Sequence, residues 1–307
     1  MTLSPSAGTI EAARQARPPR ASVIVPHYQD LAGLDQALAA LALQTFPASD
    51  FEIIVADNNS PIGLAAVEAT VRRRARVVVV AERGAGPARN GGVGVARGDV
   101  LAFTDSDCLP EPGWLAAGID TLAAFDFIGG RMKVLVVDHA QPTQAEAFET
   151  VFAFDNETYV RRKGFTVTAN LFCTRSVFDA VGGFRTGVSE DLEWSSRARS
   201  RGFKIGYAPD AVVGHPARRT WAELQLKWRR LDGEMYQFFR RQPAGRLRRL
   251  IHALGLPLSA VAHSPRVLAS QALNSPGQKL AGLTMLFRLR LWRFVNSVRL
   301  VMADRTD

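Results

Sequence analysis

The chain has little cysteine: only Cys108 and Cys173 in 307 residues, with no CxxC pair. That excludes a disulfide framework and a thiolate zinc site, and it fits a reducing compartment. Any uncharged apolar run of about 18 residues, the length a spanning helix needs, is also lacking. Residues 1–20 hold no apolar core of the kind a signal peptide carries, so they read as a disordered polar tail. Acidic residues are scarce in one region only. Residues 216–307 hold 17 Lys or Arg against 5 Asp or Glu, a net of +12; residues 1–215 hold 21 against 24, a net of −3. The larger part is therefore no nucleic-acid binder on charge grounds. The basic excess of the remainder either faces something anionic or is solvated. No internal repeat or low-complexity segment is present. What remains is 47% hydrophobic and 22% charged, an ordinary globular balance long enough for one large α/β domain and an appendage.

Hydrophobic patterning gives the order of elements. Short apolar runs at 21–26, 51–57, 76–81 and 99–105 predict strands. Amphipathic or small-residue stretches at 31–43, about 61–74 and 86–96 predict helices between them. Such alternation implies a mainly parallel sheet with helices on both faces. Further on, helices are expected at 113–124, 144–162, 175–181 and 189–201, and strands at 127–137, 165–173, 204–208 and 211–214. After His215 come Arg-rich amphipathic helices over 221–241, 246–258 and 281–302. In parallel sheets ligands bind beyond the carboxyl ends of the strands. Three strands end in polar groups, Pro26-His27-Tyr28, Asp57-Asn58-Asn59 and Asp105-Ser106-Asp107, which would collect on one rim.

Five constellations on that framework carry chemistry. Asp105 and Asp107, two residues apart at a strand end, can share a divalent ion and the ribose-phosphate of a nucleotide; as a lone motif they would be a polar turn. Asp57 can accept a hydrogen from a base, or start an Asx turn. Gly84 to Gly92 is no phosphate loop, since it lacks the GK[ST] ending, but its small residues let a helix begin close to a ligand with Arg89 in reach. Glu190 and Asp191 sit at a helix start, where the dipole favours carboxylates and where one could act as general base. His215 after a strand is either structural or an imidazole ligand.

In this order the motifs resemble family 2 glycosyltransferases over residues 21 to about 216. The matching residues are Val23–Pro26 with Tyr28, Ile53–Ser60, Pro87–Gly91, Asp99–Asp107, Thr168–Asn170, Gly182–Phe184, Glu190-Asp191 and His215. The resemblance implies an α/β GT-A fold and an inverting transfer from a nucleotide-diphosphate sugar to an acceptor hydroxyl. It implies that Asp57 contacts the base, with a UDP-sugar favoured, and that Pro26, Tyr28, Asn59 and Arg89 frame the nucleotide. Asp105 would face the ribose, Asn170 and Glu190 the donor pocket, and Asp107 with His215 an Mn2+ or Mg2+ ion. Asp191 would be the catalytic base. His27-Tyr28-Gln29 departs from the Tyr-Asn that many members carry, and Leu226–Arg230 is only loosely like the QxxRW helix of processive synthases. A glycan or lipid-linked glycan is the expected acceptor, with no nucleic acid and an undefined oligomeric state. A sugar nucleotidyltransferase would want a Gly-rich activation loop after the first strand, where Pro26–Asp30 stands. An inactive binding protein with this fold is disfavoured by the intact carboxylates. The expected division is a tail over 1–20, a catalytic domain over 21–216 and a basic helical extension over 217–307. The extension is expected to dock on the cytoplasmic face of an anionic membrane, through Trp221, Trp228, Phe238, Phe239, Leu283, Phe287, Leu291, Trp292 and Phe294 among its basic residues.

Overall fold

The computed structural model describes residues 17–240 and 245–303. The expected tail lies outside the described residues as far as residue 16. From Arg20 the backbone is engaged: its amide donates to Asp50 O (2.8 Å) and its carbonyl accepts from Val100 N (3.0 Å).

Eight strands form one sheet in the order β3-β2-β1-β4-β7-β6-β8-β5. They are β1 (Ala21–His27), β2 (Phe51–Asp57), β3 (Arg76–Val79), β4 (Val100–Phe103), β5 (Leu109–Pro110), β6 (Phe127–Leu135), β7 (Leu171–Thr174) and β8 (Ile205–Pro216). β3, β2, β1 and β4 run parallel; β7 is antiparallel to both β4 and β6. β1 is buried along its whole length, which is why it reads as an unbroken apolar run. Pro26 is tolerated in this central strand because the pairing with β4 stops at Ile24.

The crossover helices are α1 (Leu31–Ala42), α2 (Leu64–Val71) and α3 (Ala85–Val95), followed by α4 (Trp114–Leu122), α5 (Gln144–Phe152), α6 (Arg175–Val181) and α7 (Glu190–Ser200). One face of the sheet packs Val23, Val25, Ile53 and Val55 against Leu34, Leu38, Val67 and Trp114. The other packs Ile24, Phe103 and Phe127 against Val93, Phe178, Phe184 and Trp194. There Trp194 meets Phe127 edge-on at 5.5 Å and donates Nε1–H to Gly182 O at 3.0 Å, which pins α7 to the sheet.

A third core is made by α5 together with α8 (Trp221–Arg240), α9 (Gly245–Leu268) and α10 (Pro276–Ala303). It combines Ala145, Phe148 and Val151 with Leu224, Ala260, Leu286 and Leu289, so it spans the boundary expected at residue 217.

Several expected elements differ. The single helix over 144–162 is broken: α5 ends at Phe152, and Tyr159–Lys163 form a π-helical turn closed by Gly164 in the left-handed region. Asp155 interrupts it by capping the short turn that follows, accepting from Thr158 N. The strand expected over 165–173 is confined to β7, because Thr168–Asn170 form a 3-10 turn. The two short strands after residue 204 are one, β8, with a shift in its pairing to β6 at Gly130/Arg131. Helix α9 runs through Pro257 to Leu268 instead of stopping at 258.

Candidate active site

The rim expected from the three polar strand ends is formed. At the end of β1, His27 is buried and its Nδ1 lies 2.8 Å from Asp57 Oδ1. Asp57 also accepts from the Ser60 hydroxyl (2.6 Å) and the Ser60 amide (3.0 Å). Burial pushes its carboxyl up, but the Ser60 bonds and His27 outweigh this and hold it below the ordinary carboxylate range. Three of its roughly four acceptor directions are thus taken. Asn58 ties the next loop, donating to Val80 O and Glu82 O and accepting from Gly84 N at the start of α3. Asn59 takes a positive φ of 53° and is exposed, as is Tyr28. Pro26 is buried in β1.

Arg89 on α3 is the hub of the centre. Its guanidinium is buried, donates to Asp105 Oδ1 (2.5 Å) and pairs with Glu190. Burial opposes its charge, but the fields of Asp105, Glu190 and Asp191 keep it firmly protonated. Gly86 makes the approach feasible. A Cβ there would lie 2.8 Å from Glu190 Oε2 and 3.2 Å from Phe184 Cβ.

Asp191, in the first turn of α7, accepts from the Thr168 amide at 2.9 Å. Its carboxyl is pushed up to about 6, chiefly by burial; Arg89 and the Thr168 bonds pull the other way, and Glu190 adds to the rise. Arg89, Asp105, Thr168, Glu190 and Asp191 all line one cavity of about 360 Å³, together with Arg230 from α8.

Asp107 and His215 meet beside this centre, with Nε2 and Oδ2 3.5 Å apart. Cys108 joins them, and one donor atom from each of the three lies within 4.8 Å of the others. His215 Nδ1 is 2.8 Å from Pro216 O, a contact in which Nδ1 donates, so that Nε2 is the nitrogen facing Asp107. Burial and the neighbouring carboxylates push the Cys108 thiol far above its usual range. In this structure the thiol donates to Asp107 Oδ1 at 3.8 Å, and the Asp107 carboxylate with the His215 imidazole is a donor pair that fits a divalent ion.

Asn170 departs from its expected place in the donor pocket. It is fully buried, accepts from Trp114 Nε1 (2.9 Å) and donates to Arg131 O and Ala211 O. All its hydrogens are spent bracing β6 against β8, so it acts as a strut. Sequence reading missed the Thr168 amide, the Ser60 clamp on Asp57 and the reach of Arg230 into the cavity. Only Ser60, three residues after Asp57 at Asx-turn spacing, left a readable signal.

Residues 22–193 match the family model described as glycosyl transferase family 2. The glycosyltransferase AglE of Haloferax volcanii is 29% identical over 225 residues, covering 71% of this chain and 73% of that protein. The validoxylamine A glucosyltransferase of Streptomyces hygroscopicus subsp. jinggangensis is 37% identical over 98 residues, 31% of this chain and 23% of that protein. Among solved structures, the mannosyltransferase PcManGT from Pyrobaculum calidifontis, in complex with GDP-Man and Mn2+, superposes with a TM-score of 0.59 at 20% identity. The match covers 94% of this chain and 88% of that one. At that identity it is a likeness of fold.

Proposed function

The chain belongs to glycosyl transferase family 2, and from that premise we propose that it transfers a sugar, with inversion, from a uridine diphosphate sugar to an acceptor hydroxyl. The observation that carries this reading is the convergence of Arg89, Asp105, Glu190 and Asp191 on one cavity. Asp191 is the general base. A carboxylate titrating near 6 and held by the Thr168 amide can take the acceptor proton at neutral pH as the oxygen attacks the anomeric carbon, a role worth about 10²–10⁴-fold. Attack opposite the leaving group inverts that centre. Arg89 orients Asp105 toward the ribose and keeps Glu190 from drifting over the base. Asp107 and His215 would hold the Mn2+ or Mg2+ ion, which when bound neutralises charge growing on the departing diphosphate.

The base preference follows from Asp57. With one acceptor direction left, its carboxylate fits the single N3–H of uracil better than the paired N1–H and amino donors of guanine. A guanine donor is the second reading, favoured by the GDP-Man named with PcManGT. The acceptor is a glycan or lipid-linked glycan met at the cytoplasmic face of a membrane.

The test is nucleotide release from a panel of UDP-, GDP- and dTDP-sugars with Mn2+, and again with excess chelator. We expect a UDP-sugar to turn over fastest and chelation to abolish release. Full activity in chelator, or preference for a GDP-sugar, would overturn the corresponding part.

A further inference from the structure

The sequence pattern nominated a membrane face, and the structure redistributes it. Trp221, Trp228, Leu283 and Trp292 pack on the third core; Arg288 lies over the Trp221 ring at 4.2 Å and Arg293 over Trp228 at 3.9 Å. The side chains of Phe238 and Phe239 lie outside those described. The apolar groups left on the surface form a different set. Along α9, Leu247, Ile251, Leu254, Leu258, Val261 and Leu268 are each more than half exposed, Leu258 at 73%. Their steps of four, three and finally seven residues place them in one line down the helix. The opposite line, Arg249, Ala253, Leu256, Ala260 and Val267, is buried. The partner helix α10 adds a second exposed row: Leu280, Phe287, Leu291 and Met302.

A row at this spacing is also what a two-stranded coiled coil uses, so the occupant must be decided by charge. From Gly245 to Ala303 the chain holds nine Lys or Arg and no Asp or Glu. Two copies meeting row to row would bring like charges together with no acidic residue in either helix to pair them. Pro265 would fall in the seam. An anionic bilayer answers the charge objection and has no helix seam for Pro265 to interrupt, since it takes apolar side chains into its acyl boundary and cations at its headgroups. Arg248, Arg288 and Arg299 are exposed on these helices. No helix of the described residues is long and apolar enough to cross a membrane.

We propose that the outer face of α9, extended by that of α10, lies in the plane of an anionic lipid surface. The inference deepens the proposed function by naming the surface that brings the enzyme to a membrane-side acceptor. Its test reads lipid binding without turnover, so its failure would leave the glycosyltransferase reading standing.

The experiment is sedimentation of the full chain with phosphatidylcholine vesicles, with and without phosphatidylglycerol, at low and high salt. Binding to the anionic vesicles alone, weakening with salt, is expected. The exposed pair Leu254→Ser and Leu258→Ser should weaken it about tenfold or more, the scale for losing two buried leucines. Arg248→Gln with Arg299→Gln should weaken it and flatten its salt dependence. Nucleotide binding by calorimetry reports that each variant is folded. Recovery in the supernatant with every vesicle would overturn the proposal. So would binding indifferent to the leucine pair. A lipid-free dimer that the same leucine changes dissociate would overturn it in favour of a second copy.

Discussion

Glu190 and Asp191 stand side by side in the first turn of α7, yet their surroundings assign them different work. Glu190 pairs directly with Arg89, whereas Asp191 is held by Thr168 and feels Arg89 and Glu190 only through their fields. A raised carboxyl has a stability consequence with a definite sign. The folded protein holds the Asp191 proton more tightly than the unfolded chain, so this site favours folding most below its ordinary value of 3.8. That contribution is lost as pH rises through about 6, because the charged form is the one burial penalises. Asp191→Asn keeps an acceptor for Thr168 and removes the charge. Its melting temperature should exceed that of the unsubstituted protein at about pH 8, and the gap should close by about pH 4 in calorimetric scans. At the base end, Asp57→Ala removes the partner of both His27 and Ser60. Calorimetry should show UDP affinity falling about tenfold or more, the scale for losing a charge-assisted hydrogen bond. Unchanged UDP affinity would make Asp57 a turn-former only.

Elements differed in how far the sequence specified them. β2 and α6 have the bounds their patterns predict, because each is a clean apolar run closed by polar or glycine residues. The stretch from residue 144 to 173 did not, because its helical periodicity continues across Asp155, where capping wins, and its apolar run after Gly164 hides the 3-10 turn at Thr168–Asn170. The site was legible in the same uneven way. Carboxylates at strand ends and at a helix start announce themselves by position, and the structure brings Asp105, Glu190 and Asp191 to one cavity. The Thr168 amide carries no side-chain signal, and Asn170 looks the same in sequence whether it lines a pocket or braces strands. Gly86 was legible only as a small residue; its reason is the approach of α3 to Glu190 and Phe184. Gly86→Ala should therefore destabilise the fold by about 1–3 kcal/mol in urea titration, the cost of overpacking a tight contact, and weaken donor binding with it. A neutral effect on both would mean that Glu190 swings away freely.

At the scale of the whole molecule, the basic extension is not a loose appendage. Leu286 and Leu289 of α10 and Leu224 of α8 share a core with Ala147 and Phe148 of α5, and Gln278 donates to His139 O and Ala140 O. Leu286→Ala should cost about 2–5 kcal/mol and lower the single transition of the entire chain; a separate early transition would show an independent C-terminal unit. The same integration lets Arg230 of α8 line the catalytic cavity, so that the face proposed to meet lipid and the residues proposed to act on the sugar belong to one body. The proposed function stands or falls with Asp191 as the base of the glycosyl transfer. Its most direct measurement is nucleotide release from the preferred sugar donor, with Mn2+, by the unsubstituted enzyme and by Asp191→Asn across pH, with donor affinity measured in parallel. An acid limb near pH 6 is expected in the unsubstituted enzyme, and in Asp191→Asn a turnover loss of about 10²-fold or more with donor affinity nearly unchanged. Normal turnover in Asp191→Asn, or a loss confined to donor affinity, would contradict it.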